Sequence, residues 1–176
     1  MMEPTGKPAG FFVYNSLKTC TMQIFRETPS DLITELKEGE VFVFGSNLAG
    51  KHGRGAAKTA LKWGAVYGKG SGLHGKTYGI PTKDRKLRVL PINHIALHVN
   101  RFTKFAKEHS NLTFLVTEIG CGLAGYNPTD IAPLFEEVAK LSNVRLPRRF
   151  WNVLISKPID PNDPEVQRLL KLTKEQ

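Results

Sequence analysis

Val41-Phe-Val-Phe-Gly-Ser-Asn47 runs directly into Leu48-Ala-Gly-Lys-His-Gly-Arg-Gly-Ala-Ala57, and the order of these two pieces decides the fold. Four consecutive apolar residues read as a strand buried on both faces, and Gly45, Ser46 and Asn47 are expected to end it in a turn. A glycine loop follows, then a helix opening near Gly55 or Ala56, which is the order of a phosphate site. Gly50, Gly53 and Gly55 remove the Cβ atoms that keep a ligand from the backbone, and the helix start aims free amides at the loop. Asn47 stands at the strand exit with an amide that both donates and accepts.

A second segment of the same kind lies downstream. Leu112-Thr-Phe-Leu-Val-Thr117 reads as a buried strand, and Ile119-Gly-Cys-Gly-Leu-Ala-Gly-Tyr126 as a glycine loop before another helix. In an open parallel sheet, ligands bind where loops leaving neighbouring strands diverge, so two such loops suggest two walls of one cleft.

Working outward, Gly55 to Ala65 is expected to be helical, with Ala56, Ala57, Ala60, Leu61 and Trp63 toward the sheet. Gly68 to Lys76 is glycine-rich and basic, and reads as a mobile connecting loop. Thr77-Tyr-Gly-Ile-Pro81 is strand-like, Lys83 to Lys86 a polar turn, and Leu87 to Leu90 a short extended piece. Pro91 opens a helix to about Glu108, in which Ile92, Ile95, Ala96, Val99 and Phe102 recur at helical spacing. His94 and His98 have metal-ligand spacing but project away from that stripe, and they read as exposed; no metal is expected. Thr129 or Asp130 is expected to cap a helix that buries Ile131, Leu134, Phe135, Val138 and Leu141. Trp151-Asn-Val-Leu-Ile155 reads as the closing strand, and Glu165 to Leu172 as a short helix. Before the core lie a loose lead-in over residues 1–10, short strands at Phe11–Tyr14 and Met22–Phe25, and a helix start at Thr28–Asp31. The alternation implies a three-layer α/β fold with a central mixed, largely parallel sheet, in one domain spanning residues 11–176.

The formal charge of +9 and pI near 9.7 call for an anionic partner without specifying which. Lys51, Arg54, Lys58 and Lys62 flank the first loop, Lys69 and Lys76 follow, and Lys83, Arg85, Lys86 and Arg88 form a third group. No apolar run is long enough for a membrane span, and the first ten residues lack a signal pattern. Two cysteines do not make a disulfide framework, so a reducing cytoplasm is expected. The protein is also expected to be a monomer.

At its two glycine loops the chain resembles the macro domain family of ADP-ribose-binding modules. Phe44-Gly-Ser-Asn47 with Gly50, Gly53 and Gly55 is similar to the family's first loop. Cys121-Gly-Leu-Ala-Gly-Tyr126 follows the family's second-loop pattern almost position by position, and the likeness spans about residues 28 to 157. It implies a macro-like αβα fold. It also implies that Gly45, Ser46, Gly53, Gly55 and the backbone from Gly120 through Cys121, Gly122, Leu123, Ala124 and Gly125 surround the diphosphate. Tyr126 would pack on the distal ribose, Asn47 would hydrogen-bond that ribose, and Asp31 is the nearest match to the family's adenine-binding Asp. For Asp31 a helix N-cap is the competing reading. Two departures stand out. Gly45-Ser46 replaces the usual double Ala, and the loop Asp of many hydrolytic members has no counterpart.

The resemblance implies that ADP-ribose or an ADP-ribosylated substrate is the ligand. It further implies hydrolysis of an ADP-ribosyl linkage by a water ordered between Asn47 and the ligand's own phosphate, with no cofactor. His52 is the nearby side chain suited to proton transfer, and an exposed loop histidine is its simpler reading. Cys121 has no sequence-adjacent His to activate it and reads as packing. The alternatives are a non-catalytic ADP-ribose reader, an ADP-ribose 1″-phosphate phosphatase, and a nucleic-acid-binding protein that uses the basic surface.

Overall fold

The computed structural model describes residues 26–29 and 33–156. The strands expected at Phe11–Tyr14 and Met22–Phe25, the role of Asp31, and the helix over 165–172 lie outside the described residues. Strand β1 (Glu40–Asn47) occupies the centre of a five-stranded sheet in the order β2-β3-β1-β4-β5, where β2 is Gly72–His74, β3 Thr77–Lys83, β4 Thr113–Val116 and β5 Val144–Arg145. Of the pairings between these five strands, only β2–β3 is antiparallel. Side chains of β1 alternate between two apolar layers, as a pleated strand requires. Phe42 and Phe44 pack with Ala57, Ala60 and Ala65 on the face of helix α1 (Gly55–Ala60). Val41 and Val43 pack on the opposite face with Ile95, Val99 and Phe102 of α2 (Ile92–Glu108), and with Phe135, Val138 and Phe150 from the C-terminal helices. Those helices are α3 (Pro128–Ile131), a 3₁₀ turn (Ala132–Phe135) that carries Phe135, α4 (Glu136–Ala139) and α5 (Arg148–Ile155). Helices thus cover both faces, giving the expected three layers.

Several elements differ from expectation. β1 does not turn at Gly45: β3 supplies ladder partners through Gly45↔Ile80 and Ser46↔Pro81 and, after a register shift, Asn47↔Lys83. Pro81 is tolerated because β2 pairs only with Thr77–Gly79, so its missing N–H breaks no bond on that side. α1 ends at Ala60 and passes through one 3₁₀ turn to Gly64. In α2 the buried residues are Ile95, Val99, Phe102, Thr103 and Ala106, and Ile92 is exposed.

The segment read as a mobile loop is a built part of the fold. It contains β2, the Gly68 amide donates to the Gly50 carbonyl (3.0 Å), and the Lys76 amide to that of Trp63 (2.7 Å). A Cβ on Gly70 would overlap the Asn47 carbonyl oxygen, and one on Gly50 would overlap the Lys69 amide. These glycines let backbone meet backbone.

Trp151–Ile155 is not the closing strand. Pro147 starts a helix there, because Phe150, Trp151 and Leu154 fall on one helical face toward the core while Arg148, Arg149 and Asn152 are exposed. The two-residue β5 takes the strand's place beside β4 and is extended by a parallel bridge between Glu27 and Leu146. The α3 cap is Asn127, not Thr129 or Asp130. Asp130 instead accepts the Asn127 amide at 3.1 Å from the first turn, behind Pro128. Among the described residues no helix is long and apolar enough to cross a membrane.

Candidate functional site

The chain leaves β1 toward β3 on one side, then crosses back through α2 to β4 on the other, so the loops after β1 and β4 part at the sheet's C-terminal edge. A cavity of about 550 Å³ opens at this divergence. Its floor is Gly45, Ser46 and Asn47; Gly53, Arg54 and Gly55 form one wall, and Gly120, Gly122, Leu123 and Ala124 the other. Two loops 65 or more residues apart in sequence therefore meet as expected.

The second loop is presented by local chemistry. Turn bonds from Cys121 N–H to the Glu118 carbonyl (3.1 Å) and from Gly125 N–H to that of Gly122 (2.9 Å) fold it back on itself. Among the described residues, the amides of Gly53, Gly120, Gly122, Leu123 and Ala124 donate to no protein acceptor. Open donors lining a concave wall are what an oxyanion needs. Lys51, Arg54 and Lys83 also line the cavity, against one carboxylate, Glu118, which pairs with Arg149 at 2.7 Å. α1 has only six residues, so the loop amides and these cations supply the attraction rather than its dipole.

The other expected site residues have different roles. Asn47 lines the cavity, but its amide is occupied: Nδ2 donates to the Lys51 carbonyl at 2.7 Å, and Oδ1 accepts the Lys51 amide at 2.9 Å. It closes the first loop. The Ser46 hydroxyl donates to the Gly70 carbonyl. His52 is neither exposed nor on the cavity wall. At 1% exposure it sits beneath the loop, its Nε2 3.1 Å from both the Val66 and Lys69 carbonyls and its ring edge-on to Phe44. Tyr126 likewise turns away from the cavity, packs on the core and donates its hydroxyl to the Leu90 carbonyl at 2.7 Å.

Cys121 and Gly125 complete the second loop without lining the cavity. Burial, and then the Glu118 carboxylate, push the Cys121 thiol up to about 11, so it is protonated at neutral pH and serves as packing. His94 is exposed, but His98 is half-buried with its Nδ1 lacking a partner among the described residues. Burial, and then Arg101 and His94, lower its pKa. No cluster of three or more metal-ligating side chains occurs among the described residues.

No family model matches the sequence, and no curated protein matches it. One solved structure is similar. It is described as a protein of unknown function from Bacteroides thetaiotaomicron, is 17% identical, and covers 61% of this chain and 87% of that one. The TM-score of 0.46 is too low to support an argument about fold or function.

Sequence reasoning missed Tyr67, Thr82, Leu87, Thr117 and Glu118 as cavity residues. Thr82 and Lys83 were findable, since they end a strand-like run. What was lacking was the parallel register that sets β3 beside β1. The hydroxyls of Thr82 and Thr117 bond to the Ser46 and Val43 carbonyls and so stiffen the floor. Tyr67 falls in an irregular, basic, glycine-rich stretch with no period, and Leu87 opens a short extended piece with no glycine loop after it, so neither pointed to the cavity.

Proposed function

We propose that the cleft binds ADP-ribose or the ADP-ribosyl group of a conjugate, as the macro-family resemblance of its loops implies, and hydrolyses an ADP-ribosyl linkage in the cytoplasm. The observation that carries this reading is the row of unpartnered amides at Gly120, Gly122, Leu123 and Ala124 facing Lys51, Arg54 and Lys83 across one cavity. A diphosphate carries about two charges, and each hydrogen bond to it contributes roughly 1.5–3 kcal/mol. The cavity volume falls within the roughly 300–1,000 Å³ of small-molecule sites.

In the hydrolytic step, water attacks the anomeric carbon of the distal ribose as the bond to the acceptor breaks. The water's proton passes to a ligand phosphate oxygen, which hands a proton on to the departing acceptor. Such chemistry depends on positioning, and Asn47 contributes by holding the first loop. His52 has no part in proton transfer here, because its Nε2 is bonded to two carbonyls. The same occupied side chains favour a second reading, a non-catalytic ADP-ribose reader.

Calorimetric titration with ADP-ribose, ADP and AMP tests the binding, with a release assay on ADP-ribosylated substrates alongside. ADP-ribose should bind at least about tenfold tighter than ADP, a difference of about 1.4 kcal/mol. Binding with release supports hydrolysis, binding without release selects the reader, and no preference for ADP-ribose contradicts both.

A further inference from the structure

Charge in this protein is strongly segregated. Residues 51–90 contain ten Lys and Arg against a single Asp, while the rest of the chain carries fifteen basic and fifteen acidic residues. The whole net charge therefore belongs to the segment that forms the first wall of the cleft and its rim. Six of the ten exposed large hydrophobic residues among the described residues lie in the same segment.

Tyr67 stands out among them at 66% exposure, on the cavity's edge. Its turn is firmly built. The Lys69 amide donates to the Val66 carbonyl (3.0 Å), the buried His52 ring sits 3.1 Å from the carbonyls at both ends of Val66–Lys69, and the Gly68 amide is tied to Gly50. His52 also backs the phenol ring edge-on, with centroids 6.2 Å apart. The turn thus presents an aromatic face to solvent at the cavity's edge, within the most basic segment of the chain. Opposite it on the cavity wall, Leu123 is 64% exposed.

We propose that the acceptor bearing the ADP-ribosyl group is a single-stranded nucleic acid, with its phosphates on the basic rim and a base stacked on Tyr67. This rests on the ADP-ribosyl reading of the cleft. An aromatic face amid dispersed cations is the physical signature of single-strand binding, in which stacking tolerates any base and cations track the backbone. A duplex fits poorly, because a paired and stacked base must leave the helix before it can stack on Tyr67. An acidic peptide would use the cations but not the ring.

The test is fluorescence anisotropy with labelled oligo-dT and oligo-U of about twelve nucleotides, the matching duplex, and polyglutamate, at roughly 50 and 200 mM salt. Single strands should bind tightest, and preference for one of the two assigns the sugar. Tyr67→Ala should weaken binding about tenfold with an unchanged salt slope, and Tyr67→Trp should preserve it. Arg85→Ala with Lys86→Ala should flatten the salt slope by about 1.4, or 0.7 per lost phosphate contact. Equal binding of polyglutamate or duplex, or an unaffected Tyr67→Ala, overturns the assignment. Single-strand binding without ADP-ribose binding overturns the cleft reading and the acceptor role with it. ADP-ribose binding without single-strand binding overturns the acceptor assignment alone.

Discussion

Glycine serves two purposes in this chain, and single substitutions separate them. Gly70 lies where a Cβ would overlap the Asn47 carbonyl oxygen, a backbone atom that cannot yield without moving β1. Gly70→Ala should destabilise by about 3 kcal/mol or more, measured by urea unfolding. Gly53 faces open space, so Gly53→Ala should unfold within about 0.5 kcal/mol of the parent yet bind ADP-ribose more weakly, because its new methyl stands on the cavity wall. The sequence shows that glycines cluster but not which have a neighbour, which is why Gly50 was assigned to ligand approach when its neighbour is Lys69. The same blindness applied to Asn47 and His52. Their residue types were informative, and their partners, Lys51, Val66 and Lys69 main-chain atoms, became visible only in three dimensions.

Cys121 offers a chemical test at the same scale. With its thiol at about 11 rather than 9.0, the thiolate fraction near neutral pH is lower by about a hundredfold. In a Cys20→Ser background, iodoacetamide should modify Cys121 about a hundredfold more slowly than a free cysteine. The stability consequence has a definite sign. Between pH about 9 and about 11 the unfolded chain loses the thiol proton while the folded chain keeps it, so stability falls with rising pH over that window. The urea midpoint should therefore drop more there than it does in Cys121→Ser.

Helix α2 was legible because seventeen residues sample its period several times, and a long repeat outweighs any single residue. Its central contact, Phe102, is fully buried against Tyr78 and Phe114, with ring centroids 5.1 and 5.4 Å away. Phe102→Ala should cost about 3–5 kcal/mol in urea or thermal unfolding and leave α2 intact up to the transition. α5 was misread for the converse reason. The five residues Trp151–Ile155 are too few to distinguish period 2 from period 3.6, and the deciding signs were Pro147 as a helix start and Phe150 one position upstream. β2 was missed because three residues at a sheet edge, Gly72-Leu-His74 set among further glycines, carry almost no strand signal.

For the whole molecule, the three-layer fold was legible from the alternation of buried strands and helices, while strand order was not. That order centres β1 between β3 and β4 and opens the cavity between the loops leaving β1 and β4. The claim on which the functional account depends is that the free amides of those loops hold a diphosphate. It is tested most directly by following backbone ¹H–¹⁵N resonances while ADP-ribose is titrated in. The amides of Gly53, Gly120, Gly122, Leu123 and Ala124 should shift together with one affinity, while those of Gly68 and Lys76, already bonded within the protein, should move least. Shifts confined to the basic rim, with the second-loop amides unmoved, would contradict that claim.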